Sequence, residues 1–301
     1  MHNIEIMSGA SFIKLDSTNI VPNGLNNTFT YHFPGSSVNF QNIEFAIQSI
    51  SMFNSQYNID AAAFNNNTFK LEVPTAATTS TISVSLPDGI YSYADINREI
   101  QTALVNAGAY LIDDQNDNVF YIQLTENSIY YAAQVDMSPT PTALPSGWSK
   151  PATGLYSTSG TGLPTTTRVP RLIIDNSEFG KLLGLSLGTY PSASATVAKY
   201  QLSNIIPEIH PSSSYVIHCD LVKNEFDSTG TITACFDRGT SVSGQLIRYQ
   251  PSQYVWCSTH DGSRATVTVR IFDQNDRPVH FRDQSVSIML IFRKQSPFNR
   301  F

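Results

Sequence analysis

The chain has 301 residues, enough for one large domain or two modest ones, and it can bury a substantial core without disulfides or metals. Charged residues make up only 14% and the formal net charge is −6, so uncharged Ser, Thr, Asn and Gln must cover much of the surface, which suits packing against other protein. Residues 1–150 hold 4 basic and 13 acidic groups and residues 151–301 hold 14 and 11, a distribution that argues against a nucleic-acid binder acting through a concentrated basic face.

The opening "MHNIEIMSGASF" lacks the basic segment and apolar stretch of a signal peptide, and no apolar run approaches the length of a membrane span. The expectation is a chain made and kept in the cytosol or nucleus. Cys219, Cys235 and Cys257 are odd in number and lack CxxC pairing, as reduced structural thiols would be, and the sequons at Asn26 and Asn66 are expected to stay unmodified.

Period-two alternation dominates the pattern. It predicts strands at Ser11–Leu15, Thr28–Phe33, Ile43–Phe53, Thr68–Val73 and Thr81–Leu86. Within 43–53 the apolar phase runs Ile43, Phe45, Ile47 and then slips to Ile50 and Met52, which predicts a bulge near Gln48 or Ser49. Next comes "LPDGIYSYADINREIQTAL", the most helical stretch of the chain: Ser92 as N-cap, Asp95 at N3, Tyr91 and Ile96 as a staple, and Ile96, Ile100 and Leu104 on one face. Strands follow at Val119–Thr125 and Ile129–Val135.

Residues 137–170 are rich in Pro, Ser, Thr and Gly and have no apolar period, so they read as a long, partly mobile surface excursion. A strand at Arg171–Ile174 leads into a second capped helix, with Asp175 as N-cap, Glu178 at N3, and Ile174 and Phe179 as the staple. Further strands are expected at Tyr215–Val222 and Gly244–Tyr249. The clearest alternations close the chain: Ala265, Val267, Val269 and Ile271 on one face of one strand, and Val286, Ile288, Leu290 and Phe292 on one face of another. The fold class is therefore mainly β, an antiparallel sandwich or barrel carrying an inserted small α+β module in which the Ser92 helix covers one side of a small sheet.

No arrangement carries a reaction. His218 and Cys219 are adjacent on a strand and point to opposite faces. Cys257 and His260 have a zinc-compatible spacing, with His210, Cys219 and Cys235 as further ligand types, but no second clustered pair exists. GxSxG, HExxH, a Walker-type loop and GxGxxG are all missing. "DQNDN" at Asp114 and "DQNDR" at Asp273 read as Asx-rich turns; as calcium loops they fail at their twelfth positions, Thr125 and Gln284. Asp113, Asp114 and Asp117 then form a solvated turn and not an acid/base pair. Trp148 and Trp256 are the candidates for a sugar-stacking platform, although such aromatics more often serve cores and interfaces. No catalytic, cofactor-binding or metal site is assigned, and the chain is expected not to be an enzyme.

The combination of "LPDGIYSYADINREIQTAL", "NSEFGKLLGLSLGTYP" and "VTVRIFDQNDRPVHFRDQSVSIMLIFRK" resembles the penton (minor capsid) proteins of virophages and polinton-like viruses, and within them the mavirus type. The resemblance implies a single jelly roll made of residues 1–75 and 190–301, with 76–189 as the insertion. It implies a homopentamer at the icosahedral vertex, contacts with the major capsid protein of the same virus, residence in the virion after synthesis in the host cytoplasm or viral factory, and no specific nucleic-acid partner. Under that reading "MHNIEIMSGAS" and "KQSPFNRF" are candidate arms toward neighbouring subunits. The rival is a jelly-roll module that binds a carbohydrate or a receptor.

Overall fold

The structure is a computed structural model that describes residues 10–210, 212–227 and 229–295. The terminal segments expected to act as arms lie outside the described residues but for Ala10, Ser11, Lys294 and Gln295. In chain order the principal elements are β1 (Ser11–Leu15), β2 (Thr28–His32), β3 (Ile43–Phe53), β4 (Thr68–Thr75), β5 (Thr78–Ser85), α1 (Tyr93–Ala107), β6 (Ile122–Asn127), β7 (Ala132–Met137), β8 (Arg171–Ile174), α2 (Ser177–Leu183), β9 (Gly188–Tyr190), β10 (Lys199–Leu202), β11 (Ser214–Cys219), β12 (Ile232–Asp237), β13 (Leu246–Tyr249), β14 (Thr266–Asp273) and β15 (Ser287–Lys294). They divide into two compact units, Met1–Tyr57 with Ser212–Phe301, and Asn58–Pro211.

The first unit holds two antiparallel sheets, in the orders β1-β15-β3-β13 and β12-β11-β14-β2. Alternation along β14 and β15 sends Val267, Val269, Ile271, Ile288, Leu290 and Phe292 into one core with Leu15, Phe29, Phe45 and Tyr215. The bulge is where the apolar phase slips: Met289 lies opposite Ser49 and Leu290 opposite Ile47, so Gln48 is the extra residue. It lets Ile47 and Ile50, three apart, both face the core. The predicted strand to Val222 ends at Cys219, where the chain turns and Val222 N–H bonds back to the Cys219 carbonyl.

The second unit contains the sheets β9-β8-β4-β5 and β10-β7-β6 with both helices. Ser92 Oγ accepts from Asp95 N–H at 3.2 Å while Asp95 Oδ2 accepts from Ser92 N–H at 2.9 Å, the reciprocal cap that the sequence spells. Tyr93, Ile96, Ile100 and Leu104 are buried, and Asn97 Oδ1 accepts from the Leu124 amide of β6 at 2.9 Å, fixing the helix to that strand. The helix ends at Gly108 in the left-handed conformation, φ 62°.

Several expectations shift. The boundaries fall at 57/58 and 211/212, not 75/76 and 189/190, because β4 pairs with β5 and β8, and β10 pairs with β7, all within the second unit. α2 is capped by Asn176, whose Oδ1 accepts from the amides of Glu178 and Phe179; Asp175 is drawn off to Lys70 at 2.6 Å. The strand expected at Ile129–Val135 starts only at Ala132, since Ile129–Tyr131 form a turn to which Asn127 Oδ1 bonds at the Tyr130 amide. Residues 137–170 are not only a surface excursion. Tyr156 is buried, with its hydroxyl donating to the Pro74 carbonyl at 3.0 Å, and Leu155 and Tyr156 N–H bond the carbonyls of Ala107 and Gly108, each at 2.8 Å. Gly108 and Gly154 come so close there that a Cβ on either would collide with the other's backbone.

Candidate interaction surfaces

The chemistry-bearing residues are scattered. Cys219 is buried, Cys235 exposed and Cys257 half-buried, and all three are free thiols. Burial pushes the Cys219 and Cys257 thiols up, away from the reactive thiolate. Among the described residues no three His, Cys, Asp or Glu side chains converge as metal ligands. No helix among them is long and apolar enough to cross a membrane. Asn66 is buried, with its Nδ2 on the Asn58 carbonyl at 2.7 Å, so its amide has no room for a glycan in the folded unit.

His218 sits within a hydroxyl–imidazole–carboxylate chain. Its Nδ1 lies 2.8 Å from Thr231 Oγ1 and its Nε2 3.3 Å from Asp276 Oδ1, with the edge of Phe272 against the ring. The Thr231 hydroxyl is also 3.0 Å from Thr229 Oγ1, and the Thr231 amide is held by Asp227 at 3.0 Å. Both ring nitrogens are engaged, so the histidine ties β11 to the loop before β12 and to the turn after β14. That turn and the one at Asp113 share one construction. Asp113 Oδ1 accepts from Gln115 and Asp117 N–H, Asp273 Oδ1 from Asn275 and Arg277 N–H, and Asn116 and Asp276 take positive φ. The repeated words are Asx turns in which the capping residue is Asp113 in the first and Asp273 in the second.

The two tryptophans lie in different units. Trp148 is half-buried against the core of the second. Trp256 belongs to the first, where the Arg293 guanidinium lies 3.7 Å over its ring. They form no common platform in either unit.

Two surfaces stand out. On the second unit, Ile129, Tyr130 and Tyr131 project from the β6–β7 turn at 86%, 69% and 66% exposure. Ser203 bridges that neighbourhood to the end of α2, its N–H bonding the Ala133 carbonyl at 2.9 Å and its hydroxyl the Leu183 carbonyl at 2.6 Å. Ile205 and Ile206, two and three residues further on, are exposed as well, which makes this edge of the unit rich in uncovered apolar side chains.

On the first unit, a polar cleft of about 780 Å³ opens between the loop after β11 and the segment 256–261. Phe226 on its rim is fully exposed. The Asp227 carboxylate accepts from the Thr229 hydroxyl and from the amides of Thr229, Thr231 and Ile232, and these bonds, the hydroxyl foremost, hold its carboxyl well below the usual range. The cleft had no signal in the sequence, because its walls come from segments more than two hundred residues apart, such as Asn42 and Asp261.

No family model matches this sequence, and no curated protein matches it. Among solved structures it is similar to the crystal structure of the mavirus penton protein, at 9% identity and a TM-score of 0.44, over 95% of this chain and 98% of that one.

Proposed function

We propose that the chain is a structural subunit of a viral capsid, a penton whose pentamers occupy icosahedral vertices beside the major capsid protein. The observation that carries this reading is the strand order of the first unit. Counting its eight long strands from the N-terminus, one sheet runs first, eighth, third, sixth and the other second, seventh, fourth, fifth. That order supports a jelly roll, two Greek keys wound into facing sheets, which is the fold of many capsid proteins. In chain order the second unit is inserted between the third and fourth of these strands.

Fold alone does not give function, and jelly rolls also serve as lectins. The assembly reading draws its further support from the three segments that resemble pentons, the low charge of the surface, and the uncovered apolar edge at Ile129–Tyr131 and Ile205–Ile206. A subunit of this kind works through geometry, with modest contacts multiplied by closed symmetry. The test is negative-stain microscopy and sedimentation of the full chain, alone and co-expressed with the major capsid protein of its virus. Five-fold rosettes, or incorporation at vertices, are expected. A stable dimer or trimer that never enters particles overturns the reading.

A further inference from the structure

We propose that the cleft beside Phe226 binds a neutral saccharide. The cleft has a volume in the range of small-ligand sites, but its wall is polar in place of the usual apolar lining, which disfavours lipids and drug-like apolar ligands. Charge excludes anions. Lys223, the cation among the lining residues, is paired with Glu225 at 3.0 Å, and Asp261 adds a further carboxylate, so phosphate, sulfate or an acidic sugar would meet a negative site. A metal is excluded by the failure of three ligating side chains to converge among the described residues.

What remains is a ligand with many hydroxyls and a weakly apolar face, and the cleft offers partners for both. His260 and the remaining acceptor positions of Glu225 and Asp261 supply hydrogen-bonding groups along the wall. Phe226 and Trp256 supply ring faces on which the C–H face of a pyranose can rest. The Trp256 ring is held by Arg293, which in turn is paired with Glu44. The fully exposed Phe226 leaves its ring available to a ligand at the mouth of the cleft. This inference concerns the first unit alone and does not depend on the oligomeric state.

The experiment is saturation-transfer NMR on the full-length protein with maltotriose, chitotriose and lacto-N-tetraose, and with a sulfated heparin disaccharide as the charged comparison. At least one neutral sugar is expected to receive saturation, the signal being lost in Phe226→Ala and in His260→Ala and retained in Tyr130→Ala on the other unit. Phe226 and His260 are exposed, and melting curves matching wild type will show that their variants fold. Saturation of no neutral sugar, saturation of the sulfated disaccharide alone, or a signal undiminished in Phe226→Ala and His260→Ala overturns the proposal.

Discussion

Asn58 and Ile209, 151 residues apart, are joined by a hydrogen bond of 2.8 Å from the Asn58 Nδ2 to the Ile209 carbonyl. The same side chain donates to the Tyr91 carbonyl at 2.7 Å and accepts from the Tyr91 N–H at 2.8 Å, so one buried amide fastens both ends of the second unit to the segment that leads into α1. Replacing it with Leu leaves the Tyr91 amide and two carbonyls without this partner in a largely buried site. Each such group costs about 1–3 kcal/mol. Asn58→Leu is expected to lower the urea midpoint of unfolding sharply, and Asn58→Asp, which keeps only the acceptor, to fall between the two. A midpoint equal to wild type in Asn58→Leu would show that the clamp is incidental.

The cap of α1 makes its stability depend on pH. The Ser92 hydroxyl and then the Ser92 amide hold the Asp95 carboxyl below its ordinary value. A carboxyl lowered in the folded state contributes stability that is present above its unfolded pKa, about 3.9, and disappears as the pH drops through the folded value. Asp95→Asn should therefore cost stability at pH 7, on the order of 1 kcal/mol as other caps do, and the gap to wild type should close in acid. Thermal melts of both proteins between neutral pH and pH 3 read this directly; a gap that is constant with pH removes the carboxylate from the account.

Leu290 is completely buried in the core of the first unit, whereas Phe12 on the edge strand β1 is 54% exposed. Leu290→Ala is expected to cost about 2–5 kcal/mol, a large part of a domain's usual stability, and Phe12→Ala far less. Denaturant titrations with matched slopes give the comparison. Equal losses would mean that the two sheets do not enclose the core described here.

The three thiols should differ in reactivity. Cys235 is exposed, Cys257 is half-buried with its thiol pushed up by burial and then by Glu44, and Cys219 is buried with its thiol pushed up further. Ellman's reagent on the native protein should modify one thiol quickly, and Cys235→Ser should abolish that phase. Persistence of the fast phase in Cys235→Ser would place the accessible sulfur elsewhere.

Local chemistry is what the sequence made readable. The Ser92 cap needs only residues three apart, and the bulge at Gln48 betrays itself because a period-two pattern cannot change phase without an extra residue. Partner choice was less visible. Nothing within Thr68–Thr75 says that its neighbours will be β5 and β8, so its own sequence does not tell which unit it joins. Asp175 and Asn176 are both good caps, and the competing Lys70 ion pair, which decides between them, comes from a strand a hundred residues earlier. Tyr156 was hidden for another reason: a single anchoring aromatic in a run of Ser, Thr and Gly makes no period at all. Phe226 likewise gains meaning only when its loop is set across from Trp256.

The contact between Gly108 and Gly154 bears on how this chain tolerates change over time. Most of residues 137–170 is uncommitted in side-chain chemistry, so substitutions and even length changes at its exposed turns should pass with little consequence. The two glycines are different, because a methyl group on either one lands on the backbone of the other. A lineage of such proteins would then show a drifting Ser/Thr/Pro segment in which Gly154 stays fixed, matched by a fixed Gly108 at the end of α1. Those invariant positions would record a place where two stretches of main chain touch, and they should not be taken for a binding motif.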